Sequence, residues 1–272
     1  RVGATMGYGD QTLNEKVVLI TGASSGLGEQ VAYEAASRGA VVIVTARREA
    51  RLIAVREKCK QLSGTHAFSH VLDVGDRLQV SEVLREIIDQ VGDVDVLVNN
   101  AGFGLFEQAL DTPQSVTEEM FSVNVLGLIQ ITHKVAAEMQ KRRQGHIINI
   151  ASQAGKMATP KSAVYAATKF AVRGYSNALR LELKPFGVYV TTVNPGPIAT
   201  EFFGKADTDG SYLAKLGRWV LDPTVVARKI VDSMFTKKRE INLPFLMEAG
   251  ARVYALFPSL GDHLASTIFN RK

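Results

Sequence analysis

Cys59 is the single cysteine of this 272-residue sequence. A lone thiol excludes an internal disulfide framework and suits a reducing compartment, so the expected location is cytoplasmic. The five histidines, His66, His70, His133, His146 and His263, are scattered. With one cysteine they form no metal-ligand spacing, and no metal is expected. No run approaches the ~20 consecutive apolar residues of a membrane span, although peripheral association stays open. A charged-then-apolar leader with a small-residue cleavage site is also missing, so secretion is not expected. The charge excess is small, 32 Lys and Arg against 27 Asp and Glu. Its basic residues fall in short groups, such as Arg47-Arg48 and Lys141-Arg142-Arg143, without helix-turn-helix or zinc-finger spacing. They read as solvated helix ends, and nucleic acid is not an expected partner.

What is present is a rhythm. Residues 1–13 are Gly-rich and polar, begin with Arg, and read as a flexible leader outside the fold. From Lys16 onward, short apolar runs alternate with helical patterns. The strand candidates are 16–21, 40–45, 66–72, 94–99, 146–151, 188–194 and 240–243. Helical segments fall before Arg38 and over 49–62, 76–91, 114–142 and 162–185. Continuous apolar strands between helices predict a parallel sheet covered on both faces, an α/β doubly wound (Rossmann) domain over 14–243. Residues 244–272 add an extension with two amphipathic helices separated near Pro258. Its apolar stripes either cover the protein's own core or wall a substrate cleft or partner contact.

Thr21-Gly22-Ala23-Ser24-Ser25-Gly26-Leu27-Gly28 follows the first strand and opens a helix. Glycines there let backbone approach a pyrophosphate, whose charge sits on helix N-terminal amides. No Gly-Lys-[Ser/Thr] follows, which excludes a nucleotide-triphosphatase loop. An NAD site would place an acid about 20 residues further on, for the ribose 2′-hydroxyl. Here the second strand runs into Ala46-Arg47-Arg48. Two guanidinium groups suit a 2′-phosphate, so NADP(H) is expected, unless these arginines merely start a surface helix.

Ser152, Tyr165 and Lys169 form a third constellation. Tyr165 and Lys169 stand four apart in an Ala-rich helical run and share a face. A phenol titrates near about 10, and moving it to about 7 takes roughly 4 kcal/mol of preference for the phenolate. A cation held close supplies that preference, making Tyr165 a general acid toward a carbonyl oxygen that Ser152 also bonds. Taken alone, such a pair is an ordinary surface feature.

Together these residues resemble the short-chain dehydrogenase/reductase family over about residues 16–243. The resemblance implies that Gly22, Ser24, Ser25, Gly26, Leu27 and Gly28 form the cofactor turn, and that Asp73 and Val74 touch the adenine. It implies that Asn99-Asn100-Ala101-Gly102 borders the cofactor. Asn124 is implied to hold a water linked to the lysine, with Ser152, Tyr165 and Lys169 the remaining catalytic residues. Tyr165 and Lys169 are also implied to touch cofactor. Pro195 and Gly196, with Ile198 and Thr200, are implied to hold the nicotinamide carboxamide. Some NADP-dependent relatives carry a basic residue in the turn, where this chain has Ser24 and Ser25. The 2′-phosphate clamp then rests on Arg47 and Arg48.

The implied activity is hydride transfer between NADP(H) and a carbonyl or secondary alcohol. An apolar ketone or 3-oxoacyl substrate competes with steroid-like and xenobiotic carbonyls. Residues 201–221 are the segment expected to choose among them. A non-catalytic NADP(H)-binding regulator and an NAD-using alcohol dehydrogenase are the alternatives. A helix-on-helix homodimer or homotetramer is implied as well.

Overall fold

A computed structural model describes residues 12–157, 159–206, 219–259 and 261–263. Seven strands form one sheet: β1 (Val17–Thr21), β2 (Val41–Ala46), β3 (Ala67–Val71), β4 (Val96–Asn99), β5 (Gly145–Ile150), β6 (Val188–Pro195) and β7 (Glu240–Leu243). Their order is β3-β2-β1-β4-β5-β6-β7, and every neighbouring pair is parallel. The helices are α1 (Gly26–Ser37), α2 (Glu49–Ser63), α3 (Arg77–Val91), α4 (Gln114–Phe121), α5 (Leu128–Arg142), α6 (Ala163–Leu183), α7 (Glu201–Ala206), α8 (Pro223–Asp232) and α9 (Phe245–Leu256).

The strands read as unbroken apolar runs because both faces are covered. Val18 and Ile20 of β1 and Val42 and Val44 of β2 point to one side, where Val31 and Ala35 of α1 and Ile230 of α8 close over them. Leu19, Ile43, Leu97 and Ile147 point to the other, against Leu84 and Ile87 of α3 and Val135 and Met139 of α5. Each such side chain contributes roughly 1.5–3 kcal/mol on burial. The strand order reverses at β1, which pairs with β2 on one side and β4 on the other. The crevice beyond those carboxyl ends is where sheets of this kind bind ligands.

Four expectations change. Leu13 belongs to the fold, not to a leader: it is 1 % exposed in the core, and its N–H donates to the Arg38 carbonyl at 2.8 Å. Residues 1–11 of that leader lie outside the described residues. The helix expected over 114–142 widens to a π-helical turn at Ser122–Gly127, between α4 and α5. Helix α8 is an addition. Asp222 caps it by accepting the Thr224 N–H at 2.7 Å, with Pro223 at its first turn. These start signals are legible in Asp-Pro-Thr. The tail supplies one long helix, α9, and most of the second expected helix lies outside the described residues. Phe245, Leu246, Val253, Leu256 and Phe257 face outward, so they do not cover the protein's own core. The buried positions of α9 are Glu248 and Ala251. Among the described residues, no helix is long and apolar enough to cross a membrane.

Candidate active site

A cleft of about 580 Å³ opens at the carboxyl ends of the strands. The turn after β1 forms one wall. Gly22 has φ +65°, and a Cβ there would lie 2.7 Å from the Ala101 Cα, so only glycine lets the turn rest on the chain beyond β4. Thr21 fastens the two together, its Oγ1 accepting the N–H groups of Asn100 and Ala101 at 3.1 and 3.0 Å. The Asn100 amide donates in turn to the carbonyls of Thr21 and Gly22 at 3.1 and 3.0 Å.

The arginines stand where β2 ends, beside this turn. Arg48 reaches back over it, donating from Nη2 to Ser25 Oγ at 2.6 Å and to Ser24 Oγ at 3.1 Å. Its Nη1 donates to Glu201 Oε2 at 3.2 Å, and Arg51 Nη1 donates to Glu201 Oε1 at 2.7 Å. Arg47 is more exposed and lies 3.9 Å from an Asp73 carboxylate oxygen. Asp73 Oδ1 accepts the Gly75 N–H at 2.9 Å, which fixes that carboxylate where β3 leaves the sheet. Serine hydroxyls, guanidinium groups and a close-approach glycine turn make a donor set that fits a nicotinamide dinucleotide.

The other end of the cleft is apolar around a polar point. Lys169 of α6 is buried, and its Nζ donates to the Ile150 carbonyl at 3.0 Å. Burial pushes its ammonium down to about 8. Nζ lies 5.7 Å from the Tyr165 ring centroid. Phe106 meets the Tyr165 ring edge-on at 5.6 Å, and Phe202 of α7 lies tilted at 5.7 Å. Ser152 leaves β5 and caps a short 3-10 turn, Gln153–Gly155, by accepting the Ala154 N–H at 3.1 Å. Its hydroxyl also faces the Pro195 carbonyl at 3.5 Å. Met157 and Met247 border the same end of the cleft, so α9 contributes one wall residue.

The residues singled out from the sequence line this one cleft, except Gly28, Asn99 and Asn124. Gly28 lies under the turn, where any side chain would collide with the Asn100 amide. Asn99 is buried and donates to Thr132 Oγ1 and Asn149 Oδ1, both at 2.8 Å. It organises the core below the site and does not reach the cleft. Asn124 sits inside the π turn. Its Oδ1 accepts the Phe103 N–H at 2.9 Å, while Nδ2 donates to the Phe103 carbonyl at 2.8 Å and to Thr168 Oγ1 at 3.1 Å. Widening of the helix lets this amide pair with an irregular segment beside Lys169. Phe106 and Lys156 emerge only from the structure, while Glu201 and Phe202 open the segment expected to choose the substrate, of which residues 207–218 lie outside the described residues.

A family model described as short chain dehydrogenase matches residues 16–210. The chain is 34% identical over 221 residues to 3-ketodihydrosphingosine reductase of Bos taurus, covering 79% of this chain and 67% of that protein. It is 33% identical over 271 residues to dehydrogenase/reductase SDR family member 7B of Xenopus laevis, covering 94% and 80%. A short-chain dehydrogenase of Sphingobium yanoikuyae solved in complex with NADPH superposes with a TM-score of 0.79 at 26% identity, covering 92% of this chain and 95% of that one. The seven-stranded parallel sheet agrees with these matches, and the chain belongs to the short-chain dehydrogenase family of oxidoreductases acting on CH–OH and C=O groups.

Proposed function

We propose that this protein reduces bulky apolar ketones with NADPH. The observation that carries the reading is the polarity of the cleft. Ser24, Ser25 and Arg48 gather donors at one end, and Phe106 and Phe202 flank Tyr165 at the other, where Met157 also lines the cleft. Arg48 and Arg47, with the two serines, would hold the adenosine end. Gly26, Leu27, Ile198 and Thr200 would border the remainder. The similarity to a 3-ketodihydrosphingosine reductase supports an apolar substrate.

A bound nicotinamide supplies the hydride. Ser152 orients the substrate oxygen, and Tyr165 delivers its phenolic proton to it. The Lys169 ammonium, held by Ile150 and close to the ring, favours the phenolate that remains. Asn124 keeps Phe103 and Thr168 in place and thereby fixes the chain beside Lys169. Phe106 and Phe202 exclude water from the reacting oxygen, which strengthens each of these contacts.

The same reading includes a homodimer packed through α6. Phe170 and Leu181 are exposed on that helix, in line with Ala163, Ala167, Gly174 and Ala178, whose small size admits close helix approach.

NADPH oxidation over ketones of increasing apolar size tests the function. Turnover that rises with apolar size is expected. Turnover of NADH alone, or of small polar carbonyls only, would reject the reading.

A further inference from the structure

The arginine corner is already neutralised by the protein's own acids. Glu201 spans Arg48 and Arg51 at 3.2 and 2.7 Å, and Arg47 faces Asp73 and Glu119 at 3.9 and 4.0 Å. Three guanidinium groups thus meet three carboxylates, and a corner so balanced exerts little pull on a phosphate dianion. One acid has to withdraw. Asp73 is fixed by the Gly75 amide. Glu201 is half-exposed and arrives from across the cleft, at the start of α7. Hydrogen bonds from Arg51 and then Arg48 hold it below the ordinary carboxylate range, so it is ionised. Exposed pairs of this kind are weak and exchange easily.

We propose that Glu201 is an internal stand-in for the cofactor 2′-phosphate, displaced from Arg48 when that phosphate binds, and that it sets the affinity and selectivity of this end of the cleft. The inference rests on the NADP(H) reading above. It also links the two ends of the site. The helix that begins with Glu201 carries Phe202, which packs on Tyr165, and Ala206, whose carbonyl accepts the Phe106 N–H at 2.8 Å. Exchange at Glu201 therefore releases one anchor of the wall beside the reacting oxygen.

Two ligands that lack nicotinamide separate the ideas: adenosine 2′,5′-bisphosphate and adenosine 5′-monophosphate, titrated calorimetrically at low salt. Wild type is expected to prefer the bisphosphate. Glu201→Gln and Glu201→Ala are both expected to bind the bisphosphate about five-fold tighter, with the monophosphate within about two-fold of wild type. Arg48→Ala, combined with Glu201→Gln, is expected to abolish the gain. A wild-type protein indifferent to the 2′-phosphate would overturn the NADP(H) reading and the exchange with it. Preference in wild type with unchanged or weaker binding in both Glu201 variants would overturn the exchange alone.

Discussion

Lys156 and Glu248 meet at 2.6 Å with 9 % and 8 % of their side chains exposed, and the same ammonium reaches Glu240 at 3.0 Å. One buried cation therefore ties the chain just past Ser152 to β7 and to α9. Helix α9 is held from beneath by charge, while its large apolar side chains face outward.

Lys156→Met should accordingly destabilise the protein by up to about 3–5 kcal/mol, because two carboxylates lose their buried cation and are left with partners such as Arg252 and Asn242. Phe245→Ser and Leu256→Ser should each change stability by less than about 0.5 kcal/mol, as exposed positions do. Urea unfolding of the three variants checks this. Comparable losses in all three would contradict the charge-held helix.

Acid should weaken the same tie. Burial pushes Glu240 and Glu248 up, but hydrogen bonds from Lys156, with Asn242 and Arg252, outweigh it and leave both below the ordinary carboxylate range. Their stabilisation is complete above the unfolded value of about 4.3 and is lost as pH falls through the lower folded values.

His146 acts in a higher window. It is buried, with Nδ1 accepting the Phe235 N–H at 2.9 Å and Nε2 facing Thr191 Oγ1 at 2.8 Å. Burial pushes it from 6.5 down to about 3. A depressed histidine favours the neutral form on folding, so its contribution is full above the unfolded value and erodes below it. Stability should fall by about 3 kcal/mol between pH 6.5 and roughly 4 through this group, and His146→Gln should flatten that slope. Urea midpoints across pH read it out. Parallel slopes for wild type and variant would refute the assignment.

Tyr165→Phe should lower kcat by about 10²–10⁴-fold while NADPH still binds. Lys169→Ala should weaken both turnover and cofactor binding. Stopped-flow turnover and cofactor fluorescence separate these effects. A Tyr165→Phe enzyme retaining more than about a tenth of wild-type kcat would remove the phenol from the mechanism.

Arg48→Ala should raise the Kd for NADPH by about ten-fold or more with little change for NADH, since a charge-assisted contact contributes roughly 1.5–3 kcal/mol. Arg47→Ala should do less, because its more exposed guanidinium faces Asp73 and Glu119. Equal losses for the two cofactors would show that Arg48 supports the turn alone.

The sheet was legible because its strands are buried on both faces, leaving runs such as Val41–Val44 with no polar interruption. Tyr165 and Lys169 were legible because helical spacing fixes which residues share a face. Glu201 was not, since its partners Arg48 and Arg51 lie about 150 positions away and no local pattern encodes that meeting. Asn99 misled for a related reason. A short polar side chain at the end of a strand reads the same whether it points into the cleft or, as here, toward Thr132 and Asn149. Lys156 and Glu248 carry no mark in the sequence because burial of an ion pair depends on both partners together.

The pairing of β1 with β4 has a consequence for how the chain folds. Val18 lies beside Val96, so the first strand cannot acquire its second neighbour until nearly eighty further residues have been added. Until then its open edge is an apolar template for other chains. Closing that long loop is entropically slow, and a central strand waiting on it makes the whole sheet a late, non-local event. A protein shortened to β1–β3 would therefore keep its glycine turn and its arginines yet lack the strand that makes β1 central, and it should aggregate instead of forming a small nucleotide-binding unit.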